Sequence, residues 1–373
     1  MSKNINVGVI GGGLMGREVA SAFGRWFVIN DSKVNPSLYA VADLNSEALE
    51  WFDSVPTCKL LTENYQDLLN CPEIDVVYVA VPHNMHEQIY IDVLNAGKDL
   101  LAEKPFGIDL DSAKRIHEAV EGSGQFVRCS SEFPFFPGAQ RVYEVARSGE
   151  VGRILEVRSG FHHGSDLDPD KATNWKRQSK TCGEIGVMGD LGMHVCHVPF
   201  RLGFEPRSIY AQLQKGYPER PGGSCDTWDN ALLHSWIDVD GAEPIPMRLE
   251  MKRMAPGETD TWYIEVLGTD GGARFSTKEP RTLWNFSRAK EQEWRRVDLG
   301  FDTSLKTITG GIFEPGFPDI LMQMWASFFA ERDDDLNGCF GCVTPDEALL
   351  SHRLFAAAIQ SQELNQVIEV NSL

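Results

Sequence analysis

The first third of the chain alternates short apolar runs with stretches of helical spacing. The apolar runs predict buried strands over residues 5–10, 38–42, 74–81, 98–102 and 126–129. The stretches between them predict helices over residues 14–23, 86–96 and 109–120. The run over 74–81 is nearly continuous and rich in β-branched residues, which is typical of parallel strands that are covered on both faces. The alternation predicts an α/β fold that begins with a doubly wound parallel sheet.

After about residue 130, strand patterns separated by turn residues predominate. The predicted strands cover residues 154–161, 208–214, 231–239, 247–251, 262–267 and 282–286. Because few helices intervene, this part predicts a large, mostly antiparallel sheet. Near the end, Thr344-Pro345-Asp346-Glu347 is typical of a capped helix start and predicts a helix through residue 359. We therefore predict domains at 1–128 and 129–342, with residues 343–373 as a helix and tail that pack on the first domain.

Composition and charge exclude several classes of partner. The 373 residues exceed the usual size of one core, so two domains are expected. The net charge of −19 argues against nucleic acids and anionic membranes, which bind basic surfaces. No apolar run approaches the roughly 20 residues of a membrane span, and the N-terminus lacks a signal-peptide layout, so a cytoplasmic protein is expected. The single close cysteine pair, Cys339 and Cys342, is interpreted as structural or incidental, with a redox or zinc role as the alternative.

A glycine motif, Gly11-Gly12-Gly13-Leu14-Met15-Gly16, follows the first predicted strand and opens the first helix. In this context it predicts a dinucleotide site that includes Leu14 and Met15. Gly11 permits the tight turn, Gly13 the approach of the pyrophosphate, and Gly16 close helix–sheet packing. A purely structural glycine turn is the alternative.

Asp43 ends the second predicted strand, where a carboxylate can accept hydrogen bonds from the adenosine ribose. The same carboxylate would repel a 2′-phosphate, and neither Leu44 nor Asn45 brings a compensating positive charge. We therefore favour NAD over NADP as the cofactor. The alternative is that Asp43 is the N-cap of the following helix.

Glu103-Lys104-Pro105 follows a predicted parallel strand, at the edge where open α/β sheets bind ligands. Pro105 restricts the backbone of Lys104, and a cis bond between them is an option. Lys104 beside the positive nicotinamide of NAD⁺ is suited to acid–base chemistry. A surface lysine in a turn is the alternative.

Asp190, His194 and His197 have the spacing that places side chains on one face of a helix. A carboxylate beside an imidazole can orient it and stabilise its protonated form, which suits proton removal from an alcohol. Two alternatives remain open. These residues form a metal site together with His162 or His163, or His194 is a structural histidine.

The glycine motif, residues 80–86, Glu103-Lys104-Pro105 and Asp190-x-x-x-His194 stand in the order found in a known family. The chain resembles the glucose–fructose oxidoreductase / inositol dehydrogenase / rhizopine catabolism (Gfo/Idh/MocA) family. The resemblance implies an N-terminal Rossmann domain and a C-terminal α/β domain with a large open sheet. It implies that this sheet joins copies of the chain into a homodimer or homotetramer.

The resemblance also implies roles for individual residues. Lys104, Asp190 and His194 resemble the catalytic set, and Trp175-Lys176 resembles a Trp-Arg pair near cofactor and substrate. The residues implied around the cofactor are Pro82, Asn84, His86, Glu103, Lys104 and Trp175. His197 departs from the family, which often has an aspartate there that contacts substrate hydroxyls, and the aromatic segment 131–137 suits either sugar faces or a core.

The expected function is NAD-dependent oxidation of a secondary hydroxyl of a sugar, sugar derivative or cyclitol. His194 accepts the hydroxyl proton, Asp190 supports the imidazolium, and Lys104 stabilises the developing alkoxide. Residues expected to line the substrate cleft are Lys104, His162, His163, Trp175, Lys176, His194 and His197. The alternatives are a redox-neutral glycosidase or lyase with retained NAD⁺, and a non-catalytic regulator that binds dinucleotide.

Overall fold

A computed structural model describes residues 2–239, 243–290, 292–300, 303, 305–308 and 315–372. Contacts between Cα atoms divide the chain into two compact units. The first unit comprises Met1–Gly107, Asp111–Phe135 and Asp302–Asp346. The second unit comprises Ile108–Leu110, Phe136–Phe301 and Glu347–Leu373.

Helices occur in both units. In chain order they are α1 Leu14–Gly24, α2 Ser46–Glu50, α3 Tyr65–Leu69, α4 His86–Asn95, α5 Leu110–Ser123, α6 Pro137–Ser148, α7 Ser179–Cys182, α8 Val187–Arg201, α9 Phe317–Arg332 and α10 Pro345–Leu364. Single 3₁₀ turns cover Trp26–Val28, Trp51–Ser54, His83–Met85, Phe133–Phe135, Trp175–Arg177 and Val370–Ser372. No helix in the described part of the chain is long and apolar enough to cross a lipid bilayer.

The first unit is built on a parallel sheet. Its strands are β1 Lys3–Ile10, β2 Val34–Ala42, β3 Leu60–Thr62, β4 Val76–Val79, β5 Asp99–Ala102 and β6 Val127–Cys129. They lie in the order β3-β2-β1-β4-β5-β6, and every neighbouring pair is parallel. The predicted doubly wound Rossmann sheet is confirmed. The strand order reverses between β1 and β4, which opens a crevice at the carboxyl ends of the strands.

A cluster of aromatic rings forms much of the core of the first unit. The rings of Phe23 in α1 and Trp325 in α9 meet edge to face, with centroids 5.0 Å apart. Phe329 adds a further ring, 5.7 Å from Trp26. Such pairs combine large apolar burial with favourable edge-to-face geometry. The sequence pattern does not predict α9. Ten consecutive residues of this helix are buried, so its sequence shows no alternation between an apolar and a polar face.

The second unit is built on a large sheet. Its strands are β7 Ile154–His162, β8 Pro206–Gln214, β11 Asn230–Ile237, β12 Ile245–Lys252, β13 Thr261–Gly268, β14 Gly271–Ser276, β15 Thr282–Ser287, β16 Trp294–Asp298 and β17 Ile368–Glu369, while β9 Glu219–Arg220 and β10 Gly223–Ser224 form a separate ribbon. The order is β16-β15-β14-β13-β7-β12-β11-β8-β17. Among these neighbours β7 and β12 run parallel and the other pairs antiparallel. The predicted large, mostly antiparallel sheet is confirmed.

The two units differ from the predicted domain boundaries. Residues 302–346 lie in the first unit, although the sequence analysis assigned most of them to the second domain. The reason is the packing of α9 on α1, together with backbone pairing between Cys129 and Val343. Residues 347–373 cluster with the second unit, and their packing on the first domain stays a prediction. Here Ser361 and Gln362 accept hydrogen bonds from the backbone of β8, at 3.0 and 2.7 Å.

Candidate active site

The glycine loop between β1 and α1 needs glycine at two positions. Gly11 has φ of +107°, and a Cβ added there would lie 2.2 Å from the backbone oxygen of Ala80. A Cβ on Gly16 would lie 2.4 Å from the oxygen of Gly11. Gly13 has no atom within 4 Å of such a Cβ, so its face of the loop is open. The predicted turn and packing roles therefore have a steric basis, and Gly13 leaves room for a ligand.

Asp43 follows β2 and binds the glycine loop directly. Its carboxylate accepts a hydrogen bond from Gly12 N–H at 2.7 Å and another from Asn45 N–H at 2.8 Å. The N-cap of α2 is Asn45, whose side chain accepts from Glu47 N–H at 3.0 Å. The alternative of Asp43 as helix N-cap is therefore wrong.

The loop has the features that a dinucleotide needs. Gly13 is the N-cap residue of α1 and supplies no side-chain cap, so the positive end of this helix is available to an anion. Leu14 is 74% exposed beside it, and Met15 is half-buried. Gly11, Gly13 and Asp43 would hold the pyrophosphate and the ribose of NAD, which supplies a hydride acceptor to the chain when bound.

Lys104 lies just beyond the carboxyl end of β5 in the same unit and is half-buried. It is joined to Pro105 by a cis peptide bond. Its backbone N–H donates to the carboxylate of Glu103 at 3.2 Å. The structure thus places Lys104 at the strand edge where open α/β sheets bind ligands.

Two buried carboxyl groups accompany Lys104. Glu103 accepts hydrogen bonds from the hydroxyls of Tyr78, at 2.6 Å, and Ser130. Glu132 is only 2% exposed, and burial together with the nearby charge of Glu103 raises the pKa of its carboxyl to about 8. Glu132 is therefore protonated at neutral pH. Glu103 joins the ends of β4 and β6 through these side-chain hydrogen bonds, and its contact with the cofactor stays a prediction.

The loop after β4 carries Pro82, Asn84 and His86, which the resemblance places beside the nicotinamide. Pro82 is half-buried and Asn84 is exposed, so both are open to a ligand. His86 is fully buried, and its ring nitrogens lie 2.8 Å from Pro105 O and 2.9 Å from Val81 O. Burial lowers the pKa of His86, and the hydrogen bonds to the two carbonyl oxygens oppose this shift. These contacts tie the loop to the Lys104–Pro105 segment, and the contact of His86 with the cofactor stays a prediction.

Asp190 and His194 lie one turn apart on α8 in the second unit, as predicted. The carboxylate of Asp190 is held between two cations. Lys176 Nζ lies 3.0 Å from Oδ1, and Arg253 Nη2 lies 3.2 Å from Oδ2. Asp190 is 6% exposed. Opposite charges this close favour the ionised form of a carboxyl group.

His194 lies between α8 and the sheet. Its imidazole meets the ring of Phe161 edge to face, with centroids 5.5 Å apart. Its backbone oxygen accepts a hydrogen bond from Trp262 Nε1 at 2.8 Å. Trp175 and Lys176 lie in a short 3₁₀ turn, with the ammonium 5.6 Å from the indole ring. The second unit therefore brings together Asp190, His194 and the Trp175–Lys176 pair.

The other predicted histidines occupy different surroundings. The ring of His163 lies tilted against that of Phe161, with centroids 4.7 Å apart, and its Nδ1 lies 2.9 Å from a carboxylate oxygen of Asp260. His162 points to the opposite face of the sheet, because side chains alternate along β7. It lies 3.3 Å from Glu250, on the face that carries a cavity of about 540 Å³. His162 thus lies on the other face of β7 from Phe161, which meets His194, and its place in the substrate cleft stays a prediction.

His197 lies one turn beyond His194 on α8 and is fully buried. Within the residues that the structure describes, no group of three or more His, Cys, Asp and Glu side chains is placed to hold a metal ion. Of the cysteine pair, Cys342 is buried and its thiol donates to Met324 O at 3.4 Å. The oligomer interface expected on the open face of the large sheet stays a prediction.

The aromatic segment after β6 belongs to the core. Phe135 is 1% exposed and meets Phe340 edge to face at 5.5 Å. Phe136 packs 6.0 Å from Phe275. Of the two interpretations of this segment, the core role is the one that burial supports.

The predicted catalytic residues are divided between the two units. Lys104 belongs to the first unit, with the glycine loop and Asp43, whereas Asp190 and His194 belong to the second. Glu132 and Arg253, which lie beside the predicted catalytic residues, are not predicted from the sequence. A charged residue inside an aromatic run was the available signal for Glu132. Arg253 gave no signal, because Lys252-Arg253 after a strand is also typical of a solvated turn.

Comparisons with known proteins extend over both units. Residues 5–131 match the family model described as an oxidoreductase family with an NAD-binding Rossmann fold. Residues 139–274 match the model of the GFO/IDH/MocA C-terminal domain. The two matches adjoin each other along the chain and together cover more than half of it.

Individual relatives agree with the family matches. Levoglucosan dehydrogenase of Pseudarthrobacter phenanthrenivorans is 26% identical over 316 residues, covering 81% of this chain and 80% of that protein. Inositol 2-dehydrogenase of Corynebacterium glutamicum is 28% identical over 169 residues, which is 45% of this chain and 48% of the relative. Among solved structures, levoglucosan dehydrogenase in complex with NADH and L-sorbose has a TM-score of 0.87 at 23% identity, covering 99% of both chains.

Proposed function

The chain belongs to the Gfo/Idh/MocA family of oxidoreductases, and from this premise we propose that it oxidises a secondary hydroxyl of a sugar, sugar derivative or cyclitol with NAD⁺. The observation that carries the proposal is the acid–base pair on α8. Asp190 is held as a carboxylate by two cations, one helical turn before the imidazole of His194. A binding module without chemistry has no need for this arrangement.

The substrate class rests on the relatives and on the character of the site. The names of two relatives refer to levoglucosan and inositol, which carry secondary ring hydroxyls. Polar groups able to meet such hydroxyls are present on both units, including Lys104, Lys176 and His194. The aromatic face of the half-buried Trp175 suits the apolar face of a sugar ring.

In the proposed reaction, the side chains of this chain move and stabilise a proton. The imidazole of His194 accepts the proton of the substrate hydroxyl. Asp190, one turn earlier, offsets part of the positive charge of Lys176 and Arg253 and in this way favours the imidazolium. The ammonium of Lys104 stabilises the negative charge that develops on the oxygen. The proposal requires Lys104 and His194 to act on one hydroxyl.

The test is a panel of aldoses, anhydrosugars, inositols and sugar acids, assayed with NAD⁺ and with NADP⁺ for the absorbance of the reduced nicotinamide. We expect NAD⁺ reduction with at least one ring compound and weaker reduction of NADP⁺. A protein that reduces neither cofactor with any compound of the panel contradicts the proposal. Turnover of a glycoside without added cofactor and without net reduction would favour the redox-neutral glycosidase instead.

A further inference from the structure

Arg253 is an unusual residue in the second unit because it is a long cation with only 1% of its surface exposed. It follows β12, and its backbone is fixed on both sides. Its N–H donates to Asp229 O at 2.9 Å, and its carbonyl accepts from Asp166 N–H at 3.2 Å. The direction of the side chain is therefore set by neighbouring backbone.

The guanidinium of Arg253 binds three groups on two segments of the chain. Nη2 donates to the carboxylate of Asp190 at 3.2 Å and lies 3.4 Å from the carbonyl of Gly186, the residue before α8. Nη1 donates to the carbonyl of Lys176 at 3.2 Å. One side chain thus joins the start of α8, its first turn and the 3₁₀ turn at Trp175–Arg177.

Arg253, Lys176 and Asp190 contact one another in pairs, with the carboxylate of Asp190 between the two cations. Arg253 fixes the backbone of Lys176, and the ammonium of Lys176 donates to the other oxygen of Asp190 at 3.0 Å. Loss of Arg253 would therefore remove one cation from Asp190 directly and loosen the segment that carries the second cation.

Two other charged residues near Arg253, Arg177 and Asp229, have partners of their own. Arg177 forms a buried ion pair with Asp166, and burial together with the charge of Arg253 lowers the pKa of Arg177 to about 10. Asp229 accepts a hydrogen bond from Gly216 N–H at 2.8 Å. Among the described residues, Arg253 forms an ion pair with Asp190 at 3.2 Å, and the charge of Asp229 also acts on its guanidinium.

We propose that Arg253 is a positioning residue, which holds Asp190 as a carboxylate and keeps Lys176 against it. The proposal rests on the proposed function, because it assigns to Arg253 a part in that reaction through Asp190. Arginine suits the role, since its planar fork of donors reaches several acceptors at once and it keeps its charge when buried. A lysine would supply the charge but has no fork to bind all three groups.

The experiment is a double-mutant cycle between Arg253→Met and Asp190→Asn, with Arg253→Lys as the conservative variant. The matched control is Arg220→Met, which removes another buried arginine of the same unit. Arg220 binds the carbonyls of Asp166 and Asp168 and makes no contact with Asp190 that the structure describes. For each protein, kcat and KM are measured with the sugar that the wild type oxidises best, and unfolding is followed in urea.

We expect Arg253→Met to lower kcat by roughly 10²-fold while the KM for NAD⁺ changes little. Arg253→Lys should recover part of this loss. In the Asp190→Asn background, Arg253→Met should cost less than about threefold, because the two residues act as one unit. Arg220→Met should keep kcat within about threefold of the wild type.

An equal loss from Arg253→Met with and without the Asp190 carboxylate overturns the proposal, as does an equal loss in Arg220→Met. If Arg253→Met does not fold, Arg253→Lys carries the cycle under the same criteria. A wild type that oxidises no sugar of the panel counts against the proposed function alone. The urea unfolding cycle then decides: coupling between positions 190 and 253 supports the contact, and additive losses overturn it.

Discussion

The two units surround their predicted acid–base residues in opposite ways. In the first unit the cation Lys104 has two buried carboxyl groups beside it, and one of them, Glu132, has a pKa of about 8. In the second unit the carboxylate Asp190 lies between the cations Lys176 and Arg253. The first arrangement contains a proton that exchanges near neutral pH. The second arrangement contains an arginine, which keeps its charge near neutral pH, so the charges around Asp190 stay fixed.

This difference assigns separate tasks to the two regions. In the proposed function, hydroxyl donors and the proton of Glu132 would let the surroundings of Lys104 adjust when a positive cofactor binds. Ion pairs with an arginine hold the surroundings of Asp190 in one charge state. The proposed reaction would use both properties, since one group must accommodate changing charge while the other keeps its geometry.

The largest expected effect comes from the centre of the first region. Lys104→Ala removes the cation that the proposal assigns to the developing alkoxide, and we expect kcat to fall by about 10³-fold or more, about 4 kcal/mol in the barrier. Binding of NAD⁺, measured by calorimetry, should be nearly unchanged because the glycine loop and Asp43 are intact.

The matched control is Lys59→Ala, an exposed lysine of the same unit whose ammonium binds only the backbone oxygen of Pro56 in the described structure. It should leave kcat unchanged. Turnover by Lys104→Ala at the wild-type rate would remove Lys104 from the reaction and end the comparison between the regions.

The second prediction concerns the exchangeable proton. In the unfolded chain the Glu132 carboxyl loses its proton near pH 4.5, whereas in the folded protein it does so at about 8. Between these values the native state retains a proton that the unfolded chain has released. The stability contribution of Glu132 therefore falls as pH rises through this window, by at most about 1.4 kcal/mol per pH unit.

Glu132→Gln removes the ionisable group while keeping its shape. Relative to the wild type, this variant should gain stability progressively from about pH 4.5 to about pH 8 and no further above that, as followed by urea unfolding at a series of pH values. Glu118→Gln, an exposed glutamate on α5, is the control and should show no such trend. A difference between Glu132→Gln and wild type that is constant with pH would show that this region holds no such proton.

Local patterns predicted the first region well. The parallel strands, the glycine loop, Asp43 and the Lys104–Pro105 segment depend on short stretches whose side chains alternate or whose backbone needs glycine. What the sequence does not predict in this region is the burial of two side chains. Glu103 and His86 turn inward, and no residue next to them in the sequence indicates the hydroxyls and carbonyls that bind them.

The second region was predictable only in part. The spacing of Asp190 and His194 identified one helical face, because that relation is local. Arg253 lies 63 positions from Asp190, and the contact depends on how β12 ends beside α8. The helix α9 was missed for a related reason, since a helix buried on nearly all sides shows no periodicity. Contacts between distant segments carry no signal in a single sequence.

A third carboxylate, that of Asp43, is held in a different way. It accepts hydrogen bonds from backbone N–H groups at 2.7 and 2.8 Å and has no cation as a partner in the described structure. Asp43→Asn keeps an oxygen for one of these bonds but removes the charge. We expect the KM for NAD⁺ to rise about tenfold, about 1.4 kcal/mol, and the preference over NADP⁺ to narrow because the repulsion of a 2′-phosphate is lost. Steady-state kinetics with both cofactors measures this, with the exposed Asp53→Asn as control. Unchanged preference in Asp43→Asn would mean that this carboxylate serves the glycine loop alone and that another group selects the cofactor.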